Sequence, residues 1–511
     1  MEDRQPDETS NLLDQDPAKK RPAAPDPLRT ILSAAVVLLI LQIASQLELV
    51  PETAILQDII CRKYYEGLDL DPSIQPDPVD RCKIEPVQAE VAYINGWTAS
   101  LGIIPAMLVA VPYGTLADRI GRKPVLLLAI VGCFMNDIWI RLVYWFPDIF
   151  PLRTVWLGGL WQAIGGGATT LSSILFVLVA DVCPPEQRTT AFSQIQSATL
   201  LSKLLFVPLG GYLSSVNPWL PMFIASIIMI VGFCVAVLFV PETLPFPAAP
   251  GNGNDEAPLP SSTSGNHDDD KQPLRIHLRK QLDHLATFGQ WMLSNTRVGL
   301  VILCFFLFHL GEQASGTILL QYAAKRLGWT LGEASYLISL SAGVYLFVLA
   351  VMIPAMSTFL LHRLRLHETA KDKHIAQVSG VFLVVGSWTL FFAASWAVLV
   401  LGQFLTSLGY AITIPARSIV TSMVEQKHLG ALYTAVSVLT YAGVLTGGPL
   451  FAATFQWGLR LENFWLGMPF FVAGACFVLA LLAVSAAATG GRGEEVLDEV
   501  GSGDEESSVA A

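Results

Sequence analysis

Few ionisable side chains fall inside the long apolar runs of this chain. Each of them is a candidate for chemistry, because a charge held in hydrocarbon costs several kcal/mol. His309-Leu-Gly-Glu312-Gln313 sets an imidazole and a carboxylate three residues apart, on nearly one helical face, where they can share a hydrogen bond and a proton. His309 and Glu312 are thus the first choice for a proton-linked site, against the plainer alternative of a polar pair that only fixes helix packing. A buried Lys203 must find a partner, a polar cavity or a neutral state. Facing a central cavity it would favour an anionic or carbonyl-bearing ligand; otherwise it snorkels or pairs with an acid on another helix. Arg417 lies about one turn from the end of its apolar run, where a gate pair, a snorkelling guanidinium and a substrate contact are all open. Asp137 and Arg141, four apart, can neutralise each other. There is no Gly-rich nucleotide loop with its Lys-Ser/Thr and no His-Glu-x-x-His pair. The chain is therefore not expected to be an enzyme or to carry a metal or cofactor, and any work it does must draw on a gradient.

The elements that must position these groups are hydrophobic runs. With 53% hydrophobic and 14% charged residues among 511, the chain is too apolar for ordinary soluble domains. Its net charge of -11 gathers in the termini, the central linker and one external loop, and nucleic acid is excluded as a partner. Runs of about 20 residues, the length a membrane helix needs, predict spans at 30–50, 91–113, 125–145, 154–179, 190–213 and 219–240. A second set follows at 298–321, 334–359, 375–394, 397–421, 430–453 and 463–486. Glu186-Gln187-Arg188 and Glu425-Gln426-Lys427 recur before the fifth span of each set, and Gly210-Gly211 and Gly447-Gly448 recur within it, which argues for a duplicated six-span unit. In the fourth span Gly158, Gly159, Gly165, Gly166 and Gly167 are expected to let helices approach closely.

The predicted fold is all-α integral membrane: a cytoplasmic tail over 1–29, a six-helix bundle over 30–243, a linker over 244–297, a second pseudo-symmetric bundle over 298–486 and an acidic tail over 487–511. Within the linker, Leu274, Leu278, Leu282, Leu285 and Phe288 recur at helical spacing beside Arg275, Arg279 and Lys280, as in a helix lying on the inner membrane surface. Cys61 and Cys82 fall in the loop over 51–87 assigned outside, where oxidation is permitted, and a disulfide between them is expected. Glu8, Leu12 and Leu13 match an acidic dileucine sorting pattern in the first tail.

Between the second and third spans stands Gly114-Thr-Leu-Ala-Asp118-Arg119-Ile-Gly121-Arg122-Lys123, whose cations assign it and both termini to the cytoplasmic side. This turn is similar, at every defining position, to the signature loop of the major facilitator superfamily. His309-x-Gly-x-Gln313, Arg417 after a proline, Gly430-Ala-Leu-Tyr-Thr-Ala-Val436 and Gly467-Met-Pro-Phe470 resemble the branch that contains the proton-coupled folate transporter and its fungal relatives.

The resemblance implies twelve helices in two bundles around a central cavity that opens alternately to each side, and gives His309 and Arg417 roles in proton coupling and substrate binding. The branch's span-five glutamate falls at Gln196 and its span-four aspartate near Gly167, so folate import by the same coupling is not implied. Gln196, Lys203, Gln313 and Arg417 are the expected substrate contacts, with Gln42, Gln46, Asn95, Gln162 and Gln403 as further cavity residues. Gly114, Asp118, Arg119, Gly121 and Arg122 are the expected gate, working against Asp181 and Glu186. The expected function is proton-linked efflux of an organic small molecule by a monomer in the lipid bilayer. The plasma membrane is the expected site and the vacuolar membrane the alternative. Proton-coupled uptake of an organic anion and a non-transporting receptor are the competing functions.

Overall fold

A computed structural model of the chain describes residues 27–67, 82–182, 185–242, 295–363, 368–424, 429–461 and 463–487. Glu8, Leu12, Leu13, the linker helix and the acidic tail lie outside the described residues, as do the side chains of Asp118, Asp181 and Glu186. Eleven described helices are long and apolar enough to cross a membrane, and the shorter apolar run Gly167–Val179 completes a set of twelve. In chain order they are α1 (Pro27–Glu66), α2 (Glu85–Ile120), α3 (Arg122–Trp145), α4 (Gly167–Val182), α5 (Pro185–Val216) and α6 (Trp219–Phe239). The second bundle comprises α7 (Thr296–Leu327), α8 (Leu331–Arg363), α9 (Glu368–Phe391), α10 (Trp396–Ser422), α11 (Leu429–Leu461) and α12 (Met468–Ala487).

Two spans depart from the sequence expectation. The helix α1 does not stop at Val50 but runs through Pro51 to Glu66. Leu56, Ile59, Ile60 and Cys61 recur at helical spacing and bury against Val87, Val91 and Ile140. That burial outweighs one hydrogen bond lost at a proline. The fourth span is not continuous. Helix ends at Trp161 and resumes at Gly167, because Gly165, Gly166 and Gly167 have φ of 75°, 81° and 58°, a left-handed region that residues with a Cβ rarely enter. These glycines break the span as well as allowing close approach, since a Cβ on Gly132 of α3 would strike the carbonyl of Ile164 within the break. Helices α7 and α8 carry π-helical turns at Ala314–Ile318, Val348–Met352 and Phe359–Arg363; such turns insert a residue and recur at functional sites.

The two bundles meet where α2 crosses α11 and α5 crosses α8. Glycine faces glycine at both crossings: Gly96 against Gly448, and Gly211 against Gly332. The Cys61–Cys82 disulfide ties the end of α1 to the residues leading into α2, with Cα atoms 5.3 Å apart. At this disulfide end Lys83 Nζ donates to Gly328 O at 2.7 Å, Lys325 Nζ donates to Lys83 O, and Gln456 Nε2 donates to Ala89 O at 2.9 Å. Arg460 Nε stands 3.6 Å from a Glu85 carboxylate oxygen.

At the opposite end Gly121, with φ 115°, joins α2 to α3. The Glu242 carboxylate, just past α6, accepts from the backbone N–H of Arg122 at 2.9 Å and of Lys123 at 3.1 Å, capping the positive end of α3. Glu242→Ala removes both bonds and is expected to lower stability by about 1–2 kcal/mol, read as a lower thermal midpoint of the purified protein. Gln at this position should recover part of the loss.

Candidate functional site

Helix α7 positions the leading pair. Four residues of unbroken α-helix bring His309 Nδ1 to 3.0 Å from Glu312 Oε2, with the side chains 23% and 39% exposed. Both are thus dry enough to strengthen the bond and open enough to exchange a proton. The helix turns π one residue after Gln313, and the Gln313 side chain packs where a Cβ on Gly447 of α11 would stand. Phe308 lies edge-on to the imidazole, ring centroids 4.9 Å apart, and Tyr410 lies beyond Phe308 at 6.2 Å. The side chains of Ser315, Ser341 and Gln403 surround the Tyr410 hydroxyl. Gln403 is 1% exposed and its Oε1 is left without a donor.

From the other bundle, Lys203 on α5 stands within electrostatic reach of Glu312. The His309–Glu312 pair and the Lys203 ammonium thus lie within electrostatic range of each other, without a direct ion pair from Lys203. Gln196 does not join them: its side chain is exposed, two turns along α5 from Lys203. Arg417 stays at the margin, exposed, with its guanidinium carbon 6.0 Å from the centre of the Phe305 ring. Of the gate residues, Gly114 is exposed and Gly121 buried, and the Arg122 N–H is committed to Glu242.

The expected Asp137–Arg141 pair is replaced. Arg141 Nη2 reaches across to α1 and bonds Glu48 Oε2 at 2.6 Å, and it also donates to Met222 O at 3.2 Å. Asp137 accepts instead from Asn136 Nδ2 at 3.4 Å. The long guanidinium stem lets Arg141 choose a partner on another helix, which spacing along α3 alone cannot reveal. Glu48 and Glu52, four residues apart in α1, share one helical face, although Glu52 falls within the loop expected over 51–87. No group of three or more His, Cys, Asp or Glu suited to a metal ion occurs among the described residues.

Comparison with known proteins agrees with this architecture. The Major Facilitator Superfamily matches residues 92–365. Efflux pump ustT of Aspergillus flavus is 41% identical over 492 residues, which is 94% of this chain and 95% of that protein. The proton-coupled folate transporter of Bos taurus is 23% identical over 421 residues, 80% of this chain and 82% of its own. The human organic anion transporter MFSD10 superposes with a TM-score of 0.56 at 18% identity, covering 90% of this chain and 100% of that one, a likeness of fold. With a signature turn between its second and third helices, two six-helix bundles, and a relative alike along nearly its whole length, the chain belongs to the major facilitator superfamily of secondary transporters.

Proposed function

We propose that this transporter exports an organic small molecule in exchange for protons. The observation that carries it is the His309–Glu312 hydrogen bond facing Lys203 between the two bundles: a carboxylate that a proton or a cationic neighbour can neutralise in turn. The relation to an efflux pump supports the outward direction. Gln313, and Arg417 near Phe305, serve as substrate contacts on this reading. The Gly114–Arg122 turn serves as the gate, with both termini cytoplasmic and the monomer in the plasma membrane.

Lys203 favours a second reading, proton-coupled uptake of an organic anion. An imposed proton gradient separates the two. Metabolites whose distribution differs between cells with and without the protein are loaded into proteoliposomes, and flux is followed under inward and outward proton gradients. Antiport predicts depletion when protons flow in, and His309→Gln should cut that flux about 100-fold or more. Accumulation under the same gradient would replace export with uptake, and gradient-independent flux would remove the proton from the mechanism.

A further inference from the structure

The amino-terminal bundle encloses a pocket of its own, about 340 Å³ in volume, which none of the residues of α7 to α12 lines. Leu41, Ile130, Leu171 and Met229 give it apolar walls. Glu48, Glu52 and Asp137 converge on it from α1 and α3. Only Glu48 has a cation at hydrogen-bond distance, the Arg141 guanidinium at 2.6 Å. Asp137 has one long bond from the Asn136 amide, and Glu52 makes no hydrogen bond or ion pair among the described residues. Arg141 Nε is itself buried without an acceptor.

Three carboxylates therefore face one guanidinium, an excess of two negative charges when all are ionised. Inside a bilayer such an excess is costly. It is relieved either by protons or by a cation that enters. A proton needs no room, whereas this pocket falls in the size range of small-molecule sites, apolar-walled with a few convergent polar groups. Gln42, Ser45, Asn136 and Gln162 add neutral polar groups beside the apolar walls, but the carboxylates are not arranged as a metal-ion site, and the volume exceeds what a bare inorganic ion would fill.

We infer that the pocket binds an organic cation, a protonated or quaternary amine on an apolar body. Glu52 and Asp137 are its charge partners, and the Glu48–Arg141 pair holds them apart. The inference does not depend on the direction or the proton coupling of transport, and its site is distinct from the His309–Glu312 pair.

Equilibrium dialysis of the full chain in lipid nanodiscs tests it, with benzyltrimethylammonium as probe, benzyl alcohol as its uncharged counterpart and benzenesulfonate as its anionic one. Benzyltrimethylammonium should bind at least tenfold more tightly than either, and the Glu52→Gln/Asp137→Asn double substitution should weaken it at least tenfold. A second measurement leaves the acids untouched. Cys133 lines the pocket, so in a background with the other free cysteines replaced by serine, a trimethylammonium methanethiosulfonate should label it at least tenfold faster than a sulfonate reagent after each rate is divided by that reagent's rate with a free thiol. Benzyltrimethylammonium should slow that labelling. Equal binding of the three probes, binding unchanged by the double substitution, or a cationic reagent no faster than the anionic one would overturn the assignment.

Discussion

Gly165→Val is expected to yield no folded transporter, seen as loss of the monodisperse peak on size exclusion after solubilisation. Two costs coincide at this residue. Its φ of 75° is left-handed, and a β-branched side chain there costs about 1–2 kcal/mol or more. A Cβ would also run into the backbone of Leu128 and Ala129 on α3, and backbone cannot swing aside as a flexible side chain can. Overpacking of this kind costs about 1–3 kcal/mol, and here the break in the fourth span lies directly against the backbone of α3. Together these come to about 2–5 kcal/mol or more, which reaches the lower end of the roughly 5–15 kcal/mol that keeps a protein folded. Two controls separate the terms. Gly328 has φ 72° and nothing within 4 Å of the point where a Cβ would stand, so Gly328→Ala should show the backbone term alone, about 1 kcal/mol. At Gly114, inside α2, there is neither a left-handed φ nor a neighbour within 4 Å, and Gly114→Ala should unfold no more easily than the parent and gain about 0.5–1 kcal/mol. A well-folded Gly165→Val protein would mean that the break in the fourth span is not held by this residue.

The second large effect concerns Arg141. Its side chain and that of Glu48 are 12% and 15% exposed, so Arg141→Leu strands a carboxylate beside Glu52 and Asp137 with no guanidinium nearby. Breaking a buried pair from one side costs about 3–5 kcal/mol, whereas replacing both partners with apolar groups is often neutral. The thermal midpoint of Arg141→Leu should therefore fall steeply, and Arg141→Leu/Glu48→Leu should recover most of the loss. Equal midpoints for the single and double variants would show that the charge left behind is not what the pair guards against.

The spans were legible because a membrane helix needs a long apolar run and nothing else in the chain produces one. The disulfide was legible from two cysteines sharing one predicted external loop. The extension of α1 was hidden by Pro51 and by the charges of Asp58, Arg62 and Glu66, which read as loop although Leu56, Ile59 and Ile60 keep helical spacing beneath them. Three consecutive glycines in the fourth span signalled close packing equally well as a break, and only their φ values decide between these.

For the site, three-residue spacing was enough to pair His309 with Glu312, since both lie on one helix. It could not bring Lys203 to them or send Arg141 to Glu48, because those are choices between helices distant in the chain. The π turn after Gln313 has no sequence signature that spacing reveals.

The seal at the disulfide end has a consequence of its own. Three of its bonds land on main-chain carbonyls, those of Gly328, Lys83 and Ala89, and a peptide oxygen neither titrates nor changes when its side chain mutates. The acceptor side of those three bonds is therefore indifferent to the medium and imposes no identity on the residues that supply it, whereas the Arg460–Glu85 contact beside them joins two charged side chains. Cargo preference can drift in the interior of such a carrier while the latch stays as it is.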